Sequence, residues 1–191
     1  MIYFDMEKKC ILTPPHVASN HIHEACCAGH RVWWVNGMNQ DGVIDHHCNE
    51  QSLGVSWKGA QIACVVRHPV DRLVGLFEHY LKFSTLTSDP LLNWADFVRK
   101  TVSGDHQYWI YRTTISRWLG KTPVDTWIRY ENLQEDLDTF VGYEVELKPA
   151  LNLDRDWDGY LSDSELIAAI EEWAADDMER WGYTSRQRQD V

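Results

Sequence analysis

The chain has 191 residues, 44% of them hydrophobic and 25% charged, which is typical of one ordinary globular domain. Its 18 Lys and Arg against 29 Asp and Glu give a formal net charge of −11. This excludes a general nucleic-acid binder, because the mean field repels polyanions. A small anionic ligand is compatible with this charge, since a few Arg side chains and backbone N–H groups can outweigh the mean field locally.

Cysteine usage and hydropathy indicate the compartment. The five cysteines are odd in number and form no C-x-x-C pair, so buried, reduced thiols are expected. No apolar run approaches the length of a membrane span, and the N-terminus turns polar after four residues. We therefore expect a cytoplasmic protein, a single domain over residues 1–191 that binds neither membrane nor nucleic acid.

The predicted elements alternate between strands and helices. Strands are predicted at 10–12, 31–35, 62–66 and 125–130, and helices at 19–28, 69–83, near 91–103, 107–119, 132–141 and 163–181. The run from Ile62 to Val66 is wholly apolar, as expected of a strand covered on both faces, and Pro69 suits the first turn of the next helix. This alternation predicts an α/β fold with a mostly parallel central sheet flanked by helices, whose ligands bind at the carboxyl ends of the strands.

The first strand end, residues 13–20 (TPPHVASN), joins a strand to a helix. Backbone N–H groups at a helix start carry partial positive charge, and His16, Ser19 and Asn20 add donors, so the segment suits an anion. Ser19 or Asn20 could instead simply cap the helix, which leaves an ordinary turn as the alternative. The segment is not a Walker A loop, because G-x-x-x-x-G-K-[ST] is absent.

Two further strand ends carry charged residues. Arg67 follows the buried strand 62–66, where a guanidinium requires an anionic partner, and Arg72 lies about one helical turn further on. A structural ion pair of Arg67 with Asp71 or Glu131 is the alternative. The third strand end is 127–133 (WIRYENL), in which Glu131 precedes a helix.

The order of these segments resembles the sulfotransferase family, especially its carbohydrate-type members, with their P-loop-like architecture. The resemblance lies in the first loop, in the segment VRHPVDRLVG (66–75), in RYENL (129–133) and in a similar ending over 160–183. It extends over about residues 9–183, and its most specific element is Arg67-His68-Pro69 with Arg72.

The resemblance implies a donor, 3′-phosphoadenosine 5′-phosphosulfate (PAPS), or its product adenosine 3′,5′-bisphosphate, and a hydroxyl acceptor of carbohydrate type. The first loop would hold the 5′ phosphosulfate through Pro15, His16, Val17, Ala18, Ser19 and Asn20. Arg67 would hold the 3′ phosphate, with Arg72 and Gly75 in the same motif. The general base would be His47 or, failing that, His46, and His16 would take a catalytic part in the first loop.

The sequence departs from the family pattern at three of these positions. His16 stands where the family has Lys, Asn20 where it has a hydroxyl residue, and Gly75 where it has Ser. Because loss of the Lys removes a positive charge from the transition state, the alternative is a catalytically degenerate nucleotide- or calcium-binding protein of the same fold.

An acidic segment, residues 154–165, matches the calcium-loop pattern D-x-D-x-D-G-x5-E. The predicted ligands are the carboxylates of Asp154, Asp156, Asp158 and Glu165 and the carbonyl of Tyr160. No periodicity predicts the entering helix that such a site normally has. The alternative is an acidic surface loop in which Ser162 or Asp163 caps the next helix.

Overall fold

The structure, a computed structural model, describes residues 2–4, 8–27, 32–34, 37–38, 44–45, 59–84, 91–106, 108–147 and 157–186. The chain divides into two compact units. The sheet unit comprises Met1–Arg67 and Trp118–Leu151, and the helical unit comprises His68–Arg117 and Asn152–Val191. The single domain expected from the sequence stays a prediction.

The described elements are, in chain order, β1 (Ile2–Phe4), β2 (Lys9–Leu12), α1 (Ser19–Cys27), β3 (Val32–Trp34), β4 (Gly37–Met38), β5 (Ile44–Asp45), β6 (Gln61–Val66), α2 (Pro69–Ser84), α3 (Trp94–Ser103), a 3-10 turn (Trp109–Tyr111), α4 (Ile115–Leu119), β7 (Thr126–Arg129), a second 3-10 turn (Tyr130–Asn132), α5 (Leu133–Val141), α6 (Trp157–Leu161), α7 (Ser164–Trp173) and α8 (Ala175–Trp181).

In the described part of the sheet unit, the main sheet has five strands in the order β3-β1-β2-β6-β7, and β4 pairs with β5 in a separate two-stranded sheet. Strand β1 is antiparallel to both β2 and β3, whereas β6 is parallel to both β2 and β7. Four strands therefore run in one direction, which confirms the mostly parallel α/β sheet. The side chains of β6 are buried from Ile62 to Val66, as expected of a central strand covered on both faces.

One lysine ties the start of the sheet to a helix end. The Nζ of Lys9 donates to the carbonyls of Phe140 (2.7 Å) and Val141 (3.2 Å), which belong to the last turn of α5. Gly142 follows with φ 90° and donates to the carbonyl of Asp138, so α5 ends in a left-handed cap. The ammonium thus satisfies carbonyls that have no partner within the helix.

The helical unit has a core made largely of aromatic and aliphatic side chains from α2, α3 and α7. Its buried members are Val70, Leu73, Leu76, Phe77, Tyr80, Phe97, Val98, Tyr111, Leu166, Ile167 and Ile170. The buried face of α2 therefore contributes Val70, Leu73, Leu76, Phe77 and Tyr80 to this core. No helix among the described residues is long and apolar enough to cross a membrane.

Several predicted elements differ from the structure. The helix predicted at 107–119 is a 3-10 turn followed by the short α4, because Thr113 and Thr114 interrupt it and the Thr114 hydroxyl accepts from the Arg117 N–H. The single helix predicted at 163–181 is two helices separated at Ala174. Strand β1 was not predicted, since three residues carry too little periodicity.

Candidate functional site

The carboxyl ends of β2, β6 and β7 lie at one edge of the sheet. Leu12 pairs with Cys64 and Val66 pairs with Arg129 in parallel register. Thr13 and the first loop therefore leave the sheet beside the end of β6, where Arg67 follows. Residues 13–16 and 65–67 therefore lie at the ends of two neighbouring parallel strands.

The first loop has an unusual backbone. His16 (φ 62°) and Ala18 (φ 69°) are both left-handed, and Val17 between them keeps a negative φ. A left-handed conformation disfavours residues with a Cβ by about 1–2 kcal/mol, so surrounding structure must hold it. The buried side chain of Val17 anchors the loop. Alternation in the sign of φ turns successive N–H groups toward one concavity, the backbone arrangement that binds phosphate in other proteins.

Helix α1 begins directly after this loop, at Ser19. The Ile22 N–H donates to the Ala18 carbonyl at 3.0 Å, which puts Ala18 at the capping position. The predicted cap by Ser19 or Asn20 is therefore wrong, because both residues lie inside the helix. The methyl group of Ala18 cannot accept a hydrogen bond. Ser19 is buried and Asn20 is exposed, both in the first turn. The N–H groups of that turn have no acceptor within the helix.

Arg67 lies against the first loop. Its side chain is 5% exposed, and its Nη1 donates to the His16 carbonyl at 3.3 Å. Its Cζ lies 4.0 Å from the ring centroid of Tyr130, within cation–π range. Arg67 therefore sits at the sheet edge between the strained loop and the residue that follows β7.

The other two donor-site candidates of the second motif lie in α2, in the helical unit. Arg72 is 3% exposed and its Nη1 donates to the Thr113 carbonyl at 2.9 Å. Gly75 is buried in the interior of the same helix. Their contact with a nucleotide stays a prediction, as does the catalytic role of His16, whose side chain is half-buried.

The remaining predicted site residues are only partly described. His46, His47, Asp154 and Asp156 lie outside the described residues. Asp158 and Tyr160 lie in α6, and Glu165 lies in the first turn of α7. Within the described ranges, no group of three or more His, Cys, Asp or Glu side chains could hold a metal ion.

Asp163 caps α7, as one of the two alternatives for the acidic segment predicted. Its Oδ1 accepts from the N–H groups of Glu165 (3.0 Å) and Leu166 (3.1 Å). The calcium site at residues 154–165 stays a prediction.

Sequence reasoning missed two features of this site. Tyr130 follows β7 as Arg67 follows β6, so the strand register could have revealed their contact. The left-handed backbone at His16 and Ala18 had no sequence signal, since neither residue is a glycine, the usual mark of such a conformation.

A comparison with solved structures gives a likeness to a sulfotransferase. A sulfotransferase from Alicyclobacillus acidocaldarius superposes with a TM-score of 0.39 and 14% sequence identity, over 73% of this chain and 58% of that chain. The chain thus spans less than two thirds of the length of that structure. No family model and no curated protein matches the chain. At this TM-score the likeness carries no argument about activity, and the α/β class rests on the strand order of the chain itself.

Proposed function

We propose that the chain is a sulfotransferase-like protein that binds PAPS and transfers its sulfuryl group to a hydroxyl acceptor of carbohydrate type. The observation that carries the proposal is the meeting of Arg67 with the left-handed loop at the carboxyl edge of the sheet. A guanidinium lies there next to a loop of left-handed residues, in a chain whose net charge is −11. Such a local pairing suits a small ligand with two separated anionic groups.

The proposed division of the ligand follows from the two kinds of donor. The loop and the first turn of α1 would hold the 5′ phosphosulfate through backbone N–H groups and the Ser19 side chain. Arg67 would hold the 3′ phosphate, because its planar fork matches two phosphate oxygens at once.

The chemistry asked of the protein is one displacement at sulfur. The acceptor oxygen forms a bond to sulfur while the bond from sulfur to the bridging phosphate oxygen breaks, and the acceptor proton moves to a general base. We propose His47, or failing that His46, for this base, and His16 as a donor to the leaving phosphate.

A second candidate is nucleotide binding without transfer. It is favoured by His16, Asn20 and Gly75, which replace the Lys and the two hydroxyl residues of the family that the sequence resembles. A neutral imidazole contributes less to a developing negative charge than an ammonium does. The binding site is common to both candidates, and only transfer separates them.

Titration calorimetry with adenosine 3′,5′-bisphosphate tests the shared site. Arg67→Ala should weaken binding by about 1.5–3 kcal/mol, the usual worth of hydrogen bonds to a charged group. Arg99→Ala is the matched control, because Arg99 is an exposed arginine of the helical unit that forms an ion pair with Asp96. The affinity of this variant for the bisphosphate should equal that of the wild type. Equal binding by wild type and Arg67→Ala would contradict the proposal.

Transfer is measured separately, as release of bisphosphate from PAPS in the presence of glycan acceptors. The first candidate predicts turnover, reduced in His47→Ala while bisphosphate affinity is retained, because the base acts in the transition state. Binding without turnover for any acceptor would favour the second candidate.

We also propose calcium as a ligand, on the basis of the sequence pattern at residues 154–165 alone. Millimolar calcium should raise the melting temperature of the wild type, and Asp154→Ala combined with Glu165→Gln should abolish the rise. If calcium does not change the melting temperature, the segment has only the helix-capping role of Asp163.

A further inference from the structure

The contact between Arg67 and Tyr130 is short for its kind. The guanidinium carbon lies 4.0 Å from the ring centroid, well inside the distance of about 6 Å at which such contacts attract. Arg67 is buried and Tyr130 is half-buried. Burial of this degree strengthens the attraction, since water competes less for the cation.

The backbone that carries the Tyr130 ring is fixed from two sides. Arg129, the residue before it, pairs with Val66, the residue before Arg67. The N–H of Arg129 also donates to Oδ2 of Asp136 at 2.7 Å. Tyr130 then begins a 3-10 turn. The ring is thus held beside Arg67 by the sheet and by the first turns of α5.

The guanidinium is contacted in two different ways. A guanidinium stacks through its face and donates hydrogen bonds in its plane. The Cζ of Arg67 lies over the Tyr130 ring at 4.0 Å from its centroid, a distance that suits face-to-face stacking, and the His16 carbonyl accepts from Nη1. A side chain with several rotatable bonds is in this way restricted to one plane, and that plane meets the first loop.

We propose that Tyr130 is a positioning residue for Arg67. Its ring fixes the plane of the guanidinium so that the edge donors face the loop at 13–18, and it thereby sets the affinity of the anion site. The ring performs this role through its aromatic face and not through its hydroxyl. As regards the ligand, the inference rests on the proposed function.

A double-mutant cycle in urea, without ligand, tests the contact itself. The variants are Tyr130→Leu, Arg67→Gln and the pair, with Tyr130→Phe as the conservative variant. The unfolding constants should show a coupling of about two- to five-fold between the two positions, the range of a partly exposed cation–π contact. Tyr130→Phe should keep the coupling, and strictly additive effects would overturn the proposal.

If Arg67→Gln does not fold, an NMR measurement replaces the double-mutant cycle as the test of the contact. The Nε–H resonance of Arg67 should carry a ring-current shift in the wild type and in Tyr130→Phe, and should lose it in Tyr130→Leu. An unchanged resonance in Tyr130→Leu would overturn the proposal in the same way as additivity.

The ligand measurement uses adenosine 3′,5′-bisphosphate. Tyr130→Leu should raise Kd about three- to ten-fold, Tyr130→Phe should stay within about two-fold of wild type, and Tyr108→Leu, which removes an exposed tyrosine of the helical unit, should change nothing. If the wild type binds and Tyr130→Leu binds equally well, the positioning role is overturned. If the wild type does not bind, the proposed function fails, and the ligand-free cycle alone decides whether Tyr130 positions Arg67.

Discussion

The starts of α1 and α4 differ in the acceptor that the chain provides for their first backbone N–H groups. At α4, the buried carboxylate of Asp177 accepts from the N–H groups of Ile115 (2.9 Å) and Ser116 (2.8 Å). At α1, the capping position is Ala18, which has no side-chain acceptor. At α4 the chain thus supplies a carboxylate to the helix start, whereas the capping residue of α1 supplies none. A helix start whose capping residue carries no carboxylate, next to an arginine, is the better suited of the two to an anionic ligand.

The same contrast separates Arg67 and Arg72, which are both buried. Arg72 donates to the Thr113 carbonyl, immediately before the helix start that Asp177 caps. Residues 113–116 are therefore held by an arginine and an aspartate of the helical unit, which is a structural arrangement. Arg67 instead contacts a strained loop and an aromatic ring. Of the two, Arg67 is the better candidate for a ligand contact.

The largest expected effect is on stability, at the internally capped helix. Asp177→Ala removes two charge-assisted hydrogen bonds and leaves the N–H groups of α4 without that acceptor, so unfolding should become easier by about 2–4 kcal/mol. Urea unfolding measures this. Asp163→Ala, which removes a more exposed cap, should cost only about 1 kcal/mol. Equal losses would mean that burial does not distinguish the two caps.

A carboxylate placed at the other helix start should act on binding instead. Ala18→Asp puts a negative charge where the ligand phosphate is proposed to bind, and Asp tolerates a left-handed backbone better than most residues. Repulsion should lower bisphosphate affinity at least about ten-fold, or about 1.4 kcal/mol, at low salt. Ala18→Asn, which has the same shape without the charge, is the control. An unchanged bisphosphate affinity in Ala18→Asp would mean that the phosphate does not bind at this loop.

The sequence predicted the parts of this comparison that depend on long apolar runs. Strand β6 and helix α2 follow from the run 62–66 and from Pro69, and the parallel sheet follows from the alternation of elements. The cap of α4 was harder to predict, because Asp177 reaches it from 62 residues away in the chain. The left-handed Ala18 and the break at Ala174 depend on tertiary structure, since alanine favours neither locally.

Acid should affect the helical unit through His79. Burial, and secondly the charge of Lys82, lower the pKa of His79, whose Nδ1 is 3.1 Å from the Tyr111 hydroxyl. The unfolded chain then binds the proton more readily, so stability present above about pH 6.5 should be lost as pH falls below it. His79→Gln should flatten this part of the stability profile in urea. An unchanged profile would exclude His79 as its origin.

The smallest expected effect concerns the strain in the first loop. Ala18→Gly should stabilise the protein by about 0.5–1 kcal/mol, because glycine adopts a left-handed φ without a steric penalty, and this gain exceeds the added entropy of the unfolded chain. Ala95→Gly, in the first turn of helix α3, should instead destabilise by up to about 1 kcal/mol, which makes it the matched control. If the two substitutions change the free energy of unfolding in urea with opposite signs, the loop at Ala18 is strained without ligand. If Ala18→Gly destabilises as Ala95→Gly does, the left-handed backbone is not present in solution, and the converging N–H groups at the start of α1 lose their basis.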